Sequence, residues 1–215
     1  MAAEKRIKMR FVLAEGPNDC YAFVERDWAE NDPTWRQIIP YVAIQDEERR
    51  IALFQRKNGS EKRLQDLFTI GVGGHIDASD IPEHHTGKRG KINDFLRDIC
   101  ADAMRRELWE EVKWVPERVS EVVFVIESSE TAVDSVHKGL CCLAEWNFPH
   151  DSGYALPDYP EGSGPETAEE QLRYIMGKDT NMEMEFVGFK KLDELANYNL
   201  ESWSQKFLAA LMERK

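Results

Sequence analysis

No stretch of this 215-residue chain approaches the roughly 20 apolar residues that a membrane-spanning helix needs. The opening "MAAEKRIKMRFVLAEG" also lacks the apolar core and cleavage site of a signal peptide, so a cytoplasmic protein is expected, with no membrane partner. Basic side chains are in short supply: 28 against 40 acidic ones, a net charge of -12. That balance argues against a nucleic-acid polymer as partner, because binding its backbone takes basic patches that displace counterions. It leaves room for a phosphate-bearing small molecule that arrives with a metal cation. Cysteines number only four and form no CxxC pair, so neither a zinc site nor a redox motif is suggested. Cys141 and Cys142 are adjacent within "GLCCLAEW", where a mutual disulfide would be strained, and the expectation is buried free thiols in a reducing compartment. Internal repeats and clean linkers are also missing. One domain over residues 1–215 is therefore expected, and 42% hydrophobic residues suffice for its core.

The pattern of elements is readable from end to end. "MRFVLAE" predicts a first strand, and "PYVAIQDEERRIALFQR" a hairpin turning through "QDEERR". "LFTIGVGGHID" runs from a strand into a glycine-rich bend. Ala78 to Ile92 carries proline, glycines and mixed charge and reads as an inserted loop. Asn93 is a candidate N-cap for a helix extending to about Val112, with Pro116 as its stop. "VSEVVFVIES" and "HKGLCCLAEWNF" predict two more strands. A turn-rich excursion spans Pro149 to Pro165. A helix starting near Thr167, a strand at "MEMEFVGF" and a terminal helix broken near Asn197 to Asn199 complete the chain. This order predicts an α/β (α+β) fold, a mixed β-sheet covered by helices on both sides.

One segment calls for a specific explanation. "RRELWEEVKW" places Glu107, Glu110 and Glu111 at i, i+3 and i+4, on one side of a helix. Ala101, Met104, Leu108 and Val112 form an adjacent apolar stripe, so the acids lie at the edge of the buried face, not opposite it. Each like-charged pair at this spacing costs about 0.2–0.5 kcal/mol even on an exposed helix. A divalent cation would turn that repulsion into binding, because hard cations favour clustered carboxylate oxygens.

These residues resemble the Nudix box, G-x5-E-x7-R-E-U-x-E-E-x-G-U with U a bulky apolar residue. Arg106, Glu107, Leu108, Glu110 and Glu111 fall in register, and Asp98 stands at the place of the upstream glutamate. "GVGGHID", Gly71 to Asp77, looks like the opening glycines, with residues 78–92 as an insertion inside the motif. The chain departs from the pattern at Lys113, in place of the glycine, and at Trp114, in place of the last apolar residue. The resemblance implies an α/β/α sandwich with a mixed sheet. It also implies hydrolysis of a small-molecule diphosphate with magnesium, or manganese in its place. Many relatives pair, so a homodimer is a candidate assembly.

The residue roles follow from the same resemblance. Glu110 and Glu111 would be metal ligands, with Glu107 either a ligand or the general base. Arg106 would orient the carboxylates, partnered by Asp98 or Asp102. Gly73 and Gly74 would let the backbone approach phosphate, or else only make a tight turn. A further ligand is expected from Glu185, with Glu183 second on the same strand face, although polar–apolar alternation in an edge strand explains both equally. His137 and Lys138 either meet phosphate or mark a strand entrance; His84 and His85 read as a surface pair. Trp35, Trp146 and Trp203 could stack on a base, but packing is their default. Two other functions share the likeness. One is a catalytically silent ligand-binding or regulatory module. The other is an isopentenyl-diphosphate-isomerase-like enzyme, disfavoured because no suitable cysteine-containing segment is present.

Overall fold

The computed structural model describes residues 9–14, 20–57, 62–83, 92–116, 118–132, 134–146, 167–177 and 182–214. In chain order the elements are β1 (Met9–Ala14), β2 (Cys20–Glu25), α1 (Arg26–Ala29), β3 (Arg36–Gln45), β4 (Ile51–Arg56), β5 (Phe68–Thr69) and β6 (Val72–Gly73). There follow α2 (Ile92–Val112), β7 (Phe124–Glu127), β8 (His137–Glu145), α3 (Ala168–Gly177), β9 (Met184–Lys190), α4 (Leu192–Leu195) and α5 (Ser202–Glu213). The chain is thus mixed α+β, as the pattern of apolar runs and helix signals predicts. It divides into two compact units.

The first unit comprises residues 1–42, 73–107 and 121–142. Here β1 pairs antiparallel with β2 over its whole length and with the start of β3 through Val12 opposite Gln37. The β7–β8 pair aligns Phe124 with Cys141 and Glu127 with Lys138. The exit of the glycine bend is tied to β1, where Phe11 N donates to Ile76 O at 3.2 Å. The helix α2 buries Ile99, Ala103 and Met104. Sequence reading missed β2 and α1. The reason is visible in β2, whose inner residues are all half-buried, so no alternation of polar and apolar positions marks it. Cys20 at its start is exposed, against the expectation of a buried thiol, whereas Cys100, Cys141 and Cys142 are buried and free.

The second unit comprises residues 43–72, 108–120 and 143–215. At its centre β4 pairs antiparallel with β9, with a bulge between Leu53 and Phe54, and also with β5. Ala52, Leu53 and Phe54 are wholly buried, the behaviour of a continuous apolar run in the middle of a sheet. Helix α3 starts where Thr167 predicts: its Oγ1 accepts from Glu170 N at 3.2 Å, an N-cap bond. The C-terminal helix is broken, as expected, into α4 and α5. At the joint Glu201 accepts from Thr69 Oγ1 at 2.8 Å and pairs with Arg56 at 3.2 Å.

The helix α2 ends at Val112, as read from sequence, but starts at Ile92, so Asn93 lies inside it and not at the cap. The next residue, Lys113, lies in the left-handed region, with φ 56°. It therefore keeps the conformation for which a glycine at a helix C-terminus is favoured, and its N donates to Trp109 O at 3.2 Å. Trp114 then packs on the buried Trp146, ring centroids 4.4 Å apart. Residues 78–80 of the expected insertion form one 3-10 turn; His84 and His85, residues 86–91 and the excursion at 149–165 lie outside the described residues.

Candidate functional site

Arg106 is the hub of the first unit's polar cluster. Its Nε and Nη2 donate to the two oxygens of Asp80 at 2.8 and 2.9 Å, a bidentate fork. Nη2 also donates to the backbone oxygen of His75 at 2.8 Å, and Nη1 donates to Glu107 Oε1 at 2.7 Å. The hydrogen bond to Asp80 above all, reinforced by Glu107, raises the arginine's pKa further beyond its ordinary value. Asp80 is itself buried, and its Oδ2 accepts from Asp77 N at 2.8 Å. Asp77 in turn pairs with Arg10 at 2.6 Å.

This corrects the expectation for Arg106. The expected partners lie on α2, but there Asp98 pairs with Arg97 at 3.0 Å and Asp102 with Arg105 at 3.3 Å. The bidentate acid comes from 26 residues upstream, in the stretch that reads as an inserted loop. No spacing rule in a single sequence links positions so far apart, so Asp80 carries no signal of its own.

The two glycines have different neighbours. A Cβ on Gly74 would overlap the Glu107 carboxylate, so the absence of a side chain there makes the seat for that group. A Cβ on Gly73 would overlap Pro40 O and stand 3.2 Å from Tyr41 Cα, both on β3. Neither glycine is needed for backbone conformation; each is needed for space. His75, which sequence reading passed over, follows directly. Its Nε2 lies 3.2 Å from Nε2 of His137, and the rings meet edge to face. Burial, then the nearby Arg10 and His137, pushes the His75 pKa down to about 3, so the imidazole is neutral.

The remaining acids are more open. The Glu107 side chain is only 13% exposed, Glu111 is half-buried and Glu110 is exposed. Glu185 on β9 is exposed and pairs with Lys57 at 3.1 Å, and Glu183 is exposed one step away on the same face. Among the described residues no three His, Cys, Asp or Glu side chains are gathered as a ready metal site. The structure thus brings Arg106, Glu107 and Gly74 together and leaves Glu185 engaged elsewhere. Of the tryptophans, Trp146 packs in the core and Trp35 tilts against Trp28 at 5.8 Å.

Comparison with known proteins finds the same kind of fold. Tm1382, a proposed Nudix hydrolase of known crystal structure, is 27% identical, with a TM-score of 0.56 over 91% of this chain and 80% of that one. In sequence and fold the chain is thus similar to a Nudix-type protein. Protein YmaB of Bacillus subtilis (strain 168) is 29% identical over 196 residues, 90% of this chain and 79% of its own. The NUDIX domain of Shewanella oneidensis NrtR, solved with ADP ribose, is more distant. It is 14% identical, with a TM-score of 0.46 over 89% of this chain and 98% of that domain. No family model matches the chain.

Proposed function

We propose that the protein is a metal-dependent Nudix hydrolase that cleaves a phosphoanhydride bond, in a nucleoside diphosphate linked to another group or in a related diphosphate. The observation that carries this reading is the seating of the Glu107 carboxylate. It lies against Gly74 and is held by an arginine that Asp80 fixes from the other side.

The residues suit a hard divalent cation, because every candidate ligand is a carboxylate and three of them follow one another on one helix. Glu107, Glu110 and Glu111, on one helix, would hold magnesium; Glu185, the further ligand expected from sequence, is paired with Lys57. The cation, when bound, would offset phosphate charge and lower the pKa of a water molecule. The work of the chain is then positional. Arg106 orients Glu107, which binds or takes the proton from water, and Gly73 and Gly74 leave room for backbone and phosphate. Oxygen from water bonds to one phosphorus, the bridging P–O bond breaks and its oxygen stays on the other phosphorus, and two phosphate products leave; the two protons of the water end on the products or in solution.

The test is a metal-supplemented hydrolysis screen over ADP-ribose, dinucleoside polyphosphates, oxidised nucleotides and non-nucleotide diphosphates. Release of phosphate-containing products should need magnesium or manganese. Glu110→Gln and Glu111→Gln should each lower it at least about 100-fold, with the unfolding midpoint unchanged. Full activity of either variant under excess chelator overturns the proposal. Calorimetric binding with no turnover of any class would assign the chain to the silent binding modules instead.

A further inference from the structure

A cavity of about 350 Å³ opens within the first unit. Its floor is apolar and buried: Phe11 and Leu13 from β1, Ile38 from β3 and Cys100 from α2. The half-buried Tyr21, Leu96 and Leu140 stand at its mouth with Lys138. Phe11 and Tyr21 stack with planes 10° apart and centroids at 5.6 Å, which gives one wall a flat face. Lys138 and Leu140 are two residues apart on β8, so both point to the same side. Among the described residues lining the cavity there is no amide or carboxylate side chain. Burial pushes the Cys100 thiol up to about 12, so it stays neutral and behaves as part of the apolar wall. Among the described residues of the lining, the single charged group is the ammonium of Lys138, which also pairs with Glu127 across the β7–β8 ladder.

From this lining we infer that the cavity is a binding site for an amphiphile: an apolar body with one anionic head that meets Lys138. At about 30 Å³ for each water-sized group, the space suits a body of roughly a dozen non-hydrogen atoms. A nucleobase fits this lining poorly, because the polar edge it would bury finds few side-chain partners. A bare hydrocarbon would make no contact with the charge of the lysine. Two sources share the required chemistry: the organic end of a diphosphate substrate, or a separate lipid-like effector. Leu96, Cys100 and Glu107 follow at i, i+4 and i+11 on one face of α2. Glu107 is therefore about 10 Å along the helix axis from Cys100, within reach of a ligand that spans both. The existence of the site does not rest on the proposed hydrolase activity; only the choice between the two sources does.

The probes are decyl phosphate and decanol, titrated calorimetrically into the full chain. Decyl phosphate should bind with 1:1 stoichiometry. Leu140→Trp, which fills the mouth, should weaken both ligands at least tenfold. Lys138→Met keeps the length of the side chain but removes its charge, and should weaken decyl phosphate about tenfold while leaving decanol unchanged. Glu127→Gln, which frees the lysine of its carboxylate partner, should tighten decyl phosphate. Absence of binding to the wild-type chain, or binding indifferent to Lys138→Met and Leu140→Trp alike, overturns the inference. Decyl diphosphate with magnesium separates the sources. Its hydrolysis to decyl phosphate and inorganic phosphate, with water supplying the new P–O bond and one proton released, assigns the cavity to the substrate. Binding of the intact compound while ADP-ribose is hydrolysed assigns it to an effector. If no diphosphate is hydrolysed but decyl phosphate binds as described, the hydrolase reading fails and this site stands.

Discussion

Alanine at Gly74 and alanine at Gly73 should produce opposite phenotypes, although the glycines are adjacent and neither has left-handed backbone geometry. At Gly74 the atoms nearest the new methyl group are the end of the Glu107 side chain, which can rotate away. The move forfeits the 2.7 Å bond from Arg106, a charge-assisted hydrogen bond worth about 1.5–3 kcal/mol. Loss of glycine's freedom in the unfolded chain returns about 0.4–1 kcal/mol. The net destabilisation should therefore be about 1–2 kcal/mol. Under the proposed function activity should suffer far more, because displacing a catalytic carboxylate by about 1 Å can cost 100-fold. At Gly73 the methyl group meets Pro40 O and the Tyr41 backbone, which belong to β3 and cannot rotate aside. About 3 kcal/mol or more should be lost there. Urea denaturation of both variants, run beside a metal-supplemented phosphate-release assay, measures the contrast. A double-mutant cycle sharpens it: in a Glu107→Ala background, Gly74→Ala should no longer destabilise. Equal destabilisation by the two substitutions, or a fully active Gly74→Ala variant, would refute the reasoning.

Three other outcomes follow from the geometry. Asp80→Asn keeps the shape but removes the buried charge that faces Arg106, and should cost about 2–3 kcal/mol in urea denaturation, since the arginine is partly solvated. His75, held near pKa 3 by burial first, stays neutral in the folded protein while the unfolded chain takes up its proton near pH 6.5. The folded pKa is the lower one, so this stability is present above pH 6.5 and is lost as pH falls toward 3. By pH 5 the loss is about 2 kcal/mol, and His75→Gln should remove that part of the slope between pH 7.5 and pH 5. Lys113→Gly relieves a left-handed residue that costs about 1–2 kcal/mol, less glycine's own entropy, and should raise the thermal midpoint by about 2–4 °C.

What the sequence reveals and what it hides divide along the reach of each interaction. The end of α2 at Val112, the hairpin of β3 and β4, and the Thr167 cap are all decided by residues within a few positions of one another. Local spacing reports them. The departure at Lys113 is instructive, because the left-handed turn survives the loss of glycine: the fold demands the conformation and the residue tolerates it. By contrast the Asp80–Arg106 fork spans 26 residues and the His75–His137 contact spans 62. Nothing in either neighbourhood announces the other partner, and only the folded chain brings them together. The strand β2 was hidden for a different reason, since half-burial on both faces erases the alternation by which strands are read.

The long-range fork also bears on the crowded glutamates. If Arg106 met Glu107 alone, one guanidinium would offset one carboxylate and cancel the charge that a cation requires. Because Asp80 takes the bidentate side of the arginine, two carboxylates stand against one guanidinium, and the group stays net negative. The arginine can then fix the direction of Glu107 without neutralising its surroundings. Glu110 and Glu111, three and four residues further along the helix, add to that negative charge. Under the proposed function, a buried aspartate in a stretch that reads as a mere insertion would thus let Glu107 be both rigidly held and still attractive to a divalent ion.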